Sequence, residues 1–162
     1  MQPRLDFKQA SPGAFEAMLE LETHLANCGL EPKLLELVKV RVSQINGCAY
    51  CIDMHWRGAR TGGETEQRLY ALDAWRESPF YSERERTALA WAEAVTRLDQ
   101  GHVSDALHET ARRHFDDREL VDLTLAVVTI NAWNRLCIAF RSQPGAHTSA
   151  NDARPAPPGL AR

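Results

Sequence analysis

The sequence predicts an all-α fold. Nearly every long segment repeats its apolar residues at helical spacing, and none alternates convincingly at period two. Proline and glycine fall where helices should begin and end, and two stretches carry capping signatures. At 162 residues the chain is long enough to bury a real core. Residues 1–141 are expected to form a single helical domain. Residues 142–162, rich in Pro, Gly and Ala, form a tail without a core pattern.

Each helix follows from its own signals. Pro12 to Asn27 places Phe15, Met18, Leu19, Leu21 and Leu25 along an amphipathic helix, with Gly29 beyond its end. Pro32 suits a first turn, and Leu34, Leu35, Val38, Val42 and Ile45 carry the next helix to the stop at Asn46-Gly47. A partner helix runs from about Cys48 to Arg60 and ends at Thr61-Gly62-Gly63, and a shorter one is expected from Glu64 to Ala74. Ser82-x-x-Glu85 is a capping box opening a helix through Leu89, Trp91 and Val95. Ser104 caps a helix to about Phe115, and Asp116-x-x-Glu119 opens the last one, to about Phe140.

An offset of 85 superposes Leu35, Val42, Ile45 and Asn46 on Leu120, Val127, Ile130 and Asn131. The match suggests that a helix-plus-turn unit occurs twice, the second copy degenerate, with Trp133 and Leu136 in place of Cys48 and Cys51.

Charge narrows the function. A net charge of −3 gives no reason to expect nucleic acid or an anionic membrane as a partner. The arginines, interleaved with acids, read as solvated helix faces. The N-terminus lacks an apolar signal core, and no stretch approaches the ~20 apolar residues of a span. The expected location is the cytoplasm, where a lasting structural disulfide is not expected.

Chemistry concentrates in LLELVKVRVSQINGCAYCIDMHW, which reads as E-x11-C-x2-C-x3-H at Glu36, Cys48, Cys51 and His55. Two cysteines at this spacing can close a disulfide with little backbone movement. If the second opens a helix, the helix dipole favours its thiolate. His55 follows Cys51 at i+4 and shares its face. On an antiparallel hairpin Glu36 and His55 lie roughly 16 and 12 Å from the turn, a stagger that a glutamate can bridge directly or through water. These relations make Cys51 the better nucleophile and Cys48 the resolving thiol. His55 is the base that activates Cys51, and Glu36 orients His55. The rivals are a pair of buried structural cysteines and a zinc site. C-x2-C-x3-H offers zinc three ligands and Glu36 a fourth, but structural zinc sites favour a second Cys or His pair, which the chain lacks. A covalent haem site would need histidine where Ile52 stands. Cys28 and Cys137 read as inert core or interface thiols, and Trp56, Trp75, Trp91 and Trp133 as packing residues. Asn131, Asn134 and Arg135 are expected to hydrogen-bond helix ends or to face a subunit interface.

With these four residues in place the chain resembles the alkylhydroperoxidase D-like (AhpD-like) proteins of the carboxymuconolactone decarboxylase superfamily. The stretches from Trp75 to Arg86, Ala90 to Glu93 and Ile130 to Arg135 also look like small bacterial members, and the resemblance spans roughly residues 15 to 141. It implies a thiol-dependent peroxidase with Cys51 peroxidatic and no haem, flavin or metal. It also implies a lipoyl-type or thioredoxin-like dithiol donor and assembly into homotrimers or hexamers. The sequence departs from the peroxidase pattern at Tyr50, where better-characterised members carry histidine. A phenol titrating near 10 is no base at neutral pH.

The leading expectation is therefore a hydroperoxide reductase acting through Cys51, Cys48, His55 and Glu36. The alternative is a non-enzymatic dithiol redox sensor or oligomeric scaffold. A carboxymuconolactone decarboxylase-type enzyme ranks last.

Overall fold

The computed structural model describes residues 2–145, whose regular structure is helical throughout. In chain order the helices are α1 (Phe7–Ala10), α2 (Pro12–Ala26), α3 (Pro32–Asn46), α4 (Ala49–Thr61), α5 (Glu66–Tyr70), α6 (Glu83–Thr96), α7 (Asp105–Arg112) and α8 (Asp117–Phe140). The tail expected over 142–162 lies, from residue 146 onward, outside the described residues.

α3 is the centre. Every residue from Leu34 to Ser43 is buried, as expected of a helix enclosed on all sides, and α4, α6 and α8 each pack against it. One apolar cluster joins Leu34, Leu35, Val38 and Val42 to Leu123, Val127 and Ile130 of α8 and to Trp91 of α6. A second lies on the other side of α3, where Leu37 and Val40 meet Ala59, Leu69, Leu72, Trp75, Tyr81 and Leu89. Both capping boxes form: Ser82 with Glu85 and Asp116 with Glu119 exchange side-chain and backbone hydrogen bonds.

The turn between α3 and α4 fixes the geometry that matters most. Gly47 sits in the left-handed region at φ 69°, and its N–H donates to Gln44 O. The N–H of Cys48 donates back to Ser43 O at 3.0 Å. This is a Schellman ending, and it delivers Cys48 directly as the N-cap of α4. An L-residue with a side chain would be strained at position 47.

Several expectations need correction. The helix expected over Glu64–Ala74 divides into α5 and a 3-10 turn, Leu72–Ala74, which together bury Leu69 and Leu72 on one side. The helix from Ser104 stops at Arg112, and Phe115 reaches the core from the turn that follows. The short α1, N-capped by Asp6, had no recognised signal. Nor are the arginines all solvated. Arg41 is buried in α3, where its Nε donates to Glu93 at 2.8 Å and its guanidinium pairs with Asp73.

The internal similarity survives only as two long helices. α8 passes through Asn131 without a turn and runs on to Phe140, so no second hairpin follows among the described residues. The matched residues still meet, because α3 and α8 are neighbours: Asn46 Nδ2 donates to Asn131 Oδ1 at 2.9 Å and to Asn134 Oδ1 at 2.8 Å. Asn134, itself wholly buried, donates to Ser43 Oγ at 3.1 Å, so these asparagines close the end of α3. By length and composition α8 is apolar enough to cross a bilayer, contrary to the sequence expectation. In this fold it is a core helix, with Leu120, Asp122, Leu123, Val127, Ile130, Asn134 and Cys137 buried.

Candidate functional site

The α3–α4 hairpin brings together the four residues picked out by the sequence. Glu36, near the start of α3, and His55, in the second turn of α4, meet across the hairpin. His55 Nδ1–H donates to Glu36 Oε2 at 2.9 Å, so the stagger is bridged directly and no water is needed. Both side chains are over nine-tenths buried. The contact depends on Gly58, one turn beyond His55 on α4, since a Cβ there would stand 3.2 Å from Glu36 Oε2.

The two cysteines of the motif are in contact, with Sγ atoms 2.9 Å apart. Both are free thiols, and both are buried, Cys51 completely and Cys48 to within 2 %. It is the first cysteine, not the second, that opens the helix. Cys48 is the N-cap of α4 and Cys51 sits in its first turn.

A third thiol completes the group. Cys137, on the buried face of α8, places its Sγ within 4.8 Å of those of Cys48 and Cys51. Cys137 is a core thiol, as the sequence suggested, and its core face lies against the motif. Its helical spacing from Ile130 and Asn134 put it on a core face, but nothing in the sequence said which element that face would meet. Gly58 was missed for the same reason.

Three thiols in contact cannot all ionise. Hydrogen bonding from Cys137 and then from Cys51 pushes Cys48 down to about 3, against the opposing effect of burial, with a further favourable contribution from His55. Hydrogen bonding with Cys137 and Cys48, followed by burial, pushes Cys51 above the ordinary thiol range. Cys137 rises to about 11, chiefly through its hydrogen bond with Cys48. The resting negative charge therefore belongs at Cys48, where the N-terminus of α4 also favours it. The sequence had placed it at Cys51.

Around this centre Tyr50 is half-buried against the larger core cluster, and Trp56 packs on the smaller one. His55 Nε2 is enclosed and makes no hydrogen bond. Two surface hollows, one lined by Arg112 and Phe115 to Arg118 and the other by Arg76, Glu93, Arg97 and Gln100 to His102, include none of the site residues. The arrangement can hold one thiolate, close a disulfide between neighbours, and offer an imidazole nitrogen oriented by a carboxylate.

Residues 12–94, which contain the whole hairpin, match the carboxymuconolactone decarboxylase family. The uncharacterized protein YdfG of Bacillus subtilis is 42% identical over 140 residues, covering 86% of this chain and 95% of that protein. A crystal structure from Agrobacterium tumefaciens, of a protein of unknown function for which an AhpD antioxidant-defence role has been suggested, superposes with a TM-score of 0.86. Its sequence identity is 44%, over 88% of this chain and 98% of that one. The debrominase Bmp8 shares the fold at 22% identity and a TM-score of 0.76, over 85% of this chain and 74% of its own.

Proposed function

The chain is an AhpD-like member of the carboxymuconolactone decarboxylase family, and from that premise we propose that it is a thiol-dependent hydroperoxide reductase. The observation that carries this reading is the Glu36–His55 hydrogen bond on the same hairpin as two thiols 2.9 Å apart. The relative with a suggested antioxidant role supports it. The fold by itself does not choose the electrophile, since a debrominase shares it.

The proposed cycle begins at Cys51, which shares the His55 face of α4: His55 Nε2 takes its proton and leaves the thiolate. Cys51 attacks the terminal peroxide oxygen, forming an S–O bond as the O–O bond breaks. The leaving alkoxide takes that proton back from His55, which Glu36 orients through Nδ1, and departs as the alcohol. The Cys48 thiolate then attacks the Cys51 sulfenic acid, the S–S bond forms, and the hydroxide released takes a proton from solvent and leaves as water. An external dithiol of the lipoyl or thioredoxin-like class returns two electrons and two protons. Cys48 is thus the resolving thiol, and Glu36 is a positioning residue. The reducing partner fits a cytoplasmic setting.

Homo-oligomeric assembly, as a trimer or hexamer, belongs to the same proposal. Val121, Val128 and Ile138 are exposed on α8, more apolar surface than a lone core helix needs to show. Light scattering on the reduced protein tests it, and a monomer at micromolar concentration would overturn it.

A second reading is favoured by the burial of both thiols and by Tyr50 in the family's histidine position. In that reading the dithiol is a slow redox sensor whose oxidation alters assembly. One assay separates the two: peroxide consumption with dithiothreitol and then dihydrolipoamide as donor. Sustained turnover that is lost in Cys51→Ser supports the reductase. Consumption of one equivalent followed by silence supports the sensor.

A further inference from the structure

We propose that the reduced protein binds a Zn2+-class divalent cation through the thiolates of Cys48, Cys51 and Cys137. The observation that carries this site is the sulfur cluster: three buried Sγ atoms, drawn from α4 and from the distant α8, all within 4.8 Å of one another.

The donor chemistry selects the cation. Three thiolates suit tetrahedral Zn2+ at Zn–S distances of about 2.3 Å, with the fourth position left to water. Magnesium and calcium require a shell of oxygen ligands, which three thiols do not supply. From sequence, zinc is disfavoured for want of a second Cys or His pair in the chain. Cys137 supplies a third thiol from its other end. The Cys48 and Cys51 sulfurs open from 2.9 Å to the wider separation that two ligands of one ion require. The thiols still protonated release their protons to solvent as the ion enters, and no electron moves.

Zinc and the Cys48–Cys51 disulfide are mutually exclusive, so only the reduced chain loads. The site does not depend on the peroxidase reading. A chain that consumes no peroxide and still binds zinc leaves this proposal standing.

The test uses the full-length protein, reduced and freed of small thiols, titrated anaerobically with Co2+ and then back-titrated with Zn2+. The expected result is thiolate-to-cobalt charge-transfer absorption that saturates at one equivalent and is bleached by Zn2+. Cys137→Ala should weaken Zn2+ binding by about tenfold or more. Cys28→Ala, which removes a buried thiol outside the cluster, should leave it unchanged. X-ray absorption at the zinc edge of the unmutated protein should count three sulfurs and one lighter atom, independently of how any variant folds. A Co2+ titration without a charge-transfer band, wild-type affinity in Cys137→Ala, or a ligand count without three sulfurs would each overturn the proposal.

Discussion

The Glu36 carboxylate that orients His55 stands over Gly58 across the α3–α4 hairpin, where a Cβ would lie only 3.2 Å from Oε2. A Gly→Ala change inside a helix ordinarily stabilises by about 1 kcal/mol. In Gly58→Ala that gain should be cancelled, because Glu36 must retreat by a few tenths of an ångström while bound to His55. Peroxide turnover should fall several-fold, with the helical circular dichroism unchanged. A variant that is about 1 kcal/mol more stable and fully active would show that the Glu36 position is irrelevant to the chemistry.

The unequal roles of the two cysteines can be read from what accumulates. Cys48→Ser should consume a single equivalent of peroxide and retain a sulfenic acid at Cys51 that a dimedone-type probe labels. Cys51→Ser should consume none. If Cys48 instead carries the trapped sulfenic acid in Cys51→Ser, the resting thiolate is itself the attacker and the roles are reversed.

Lys39 has no exposed surface, and its Nζ lies 2.5 Å from Glu22 Oε2, while Trp133 Nε1 donates to the other oxygen of the same carboxylate. Removing one member of a buried pair strands the other. Glu22→Ala should therefore cost about 3 kcal/mol in urea unfolding. Lys39→Met, which replaces the cation with an apolar chain of similar length, should cost clearly less. The reverse order would mean that the lysine stem, not its charge, matters at this position.

Glu93 sets an acid limit on stability. Burial opposes its ionisation, but hydrogen bonds from Trp75, Arg76 and Arg41 outweigh that and lower it below the ordinary carboxylate range. A carboxylate lowered on folding contributes stability in full above its unfolded value near 4.3, and loses it as pH falls through the folded value. Thermal midpoints of the wild type should decline below about pH 4 more steeply than those of Glu93→Gln, which should be less stable at neutral pH. Parallel acid limbs in the two proteins would remove Glu93 from the account.

What the sequence disclosed was local. Helix ends were legible because Pro32, Gly47, Ser82 and Asp116 act on their own turns through backbone geometry and caps. The Glu36–His55 pairing was legible because both residues lie on one hairpin, where rise per residue converts directly to distance. Cys137 was not, since its contact with Cys48 depends on how α8 packs and no spacing rule spans that separation. Arg41 misled for a related reason: a charged side chain reads as solvated until Glu93 and Asp73 arrive from other elements to pair it. The break after Tyr70 followed from the demand to bury Leu69 and Leu72 together, a tertiary requirement that overrode the local helical pattern.

The placement of Cys137 on the last helix has a consequence for the order in which the chain becomes reactive. During synthesis α3 and α4 emerge long before α8, so the hairpin with Glu36, Cys48, Cys51 and His55 precedes the third thiol. A nascent chain at that stage lacks the strongest of the hydrogen bonds that acidify Cys48. Its thiols sit closer to an ordinary cysteine, which titrates near 8.5. The unequal acidity of Cys48 and Cys51 is thus a product of completed folding, set only when the C-terminal helix docks.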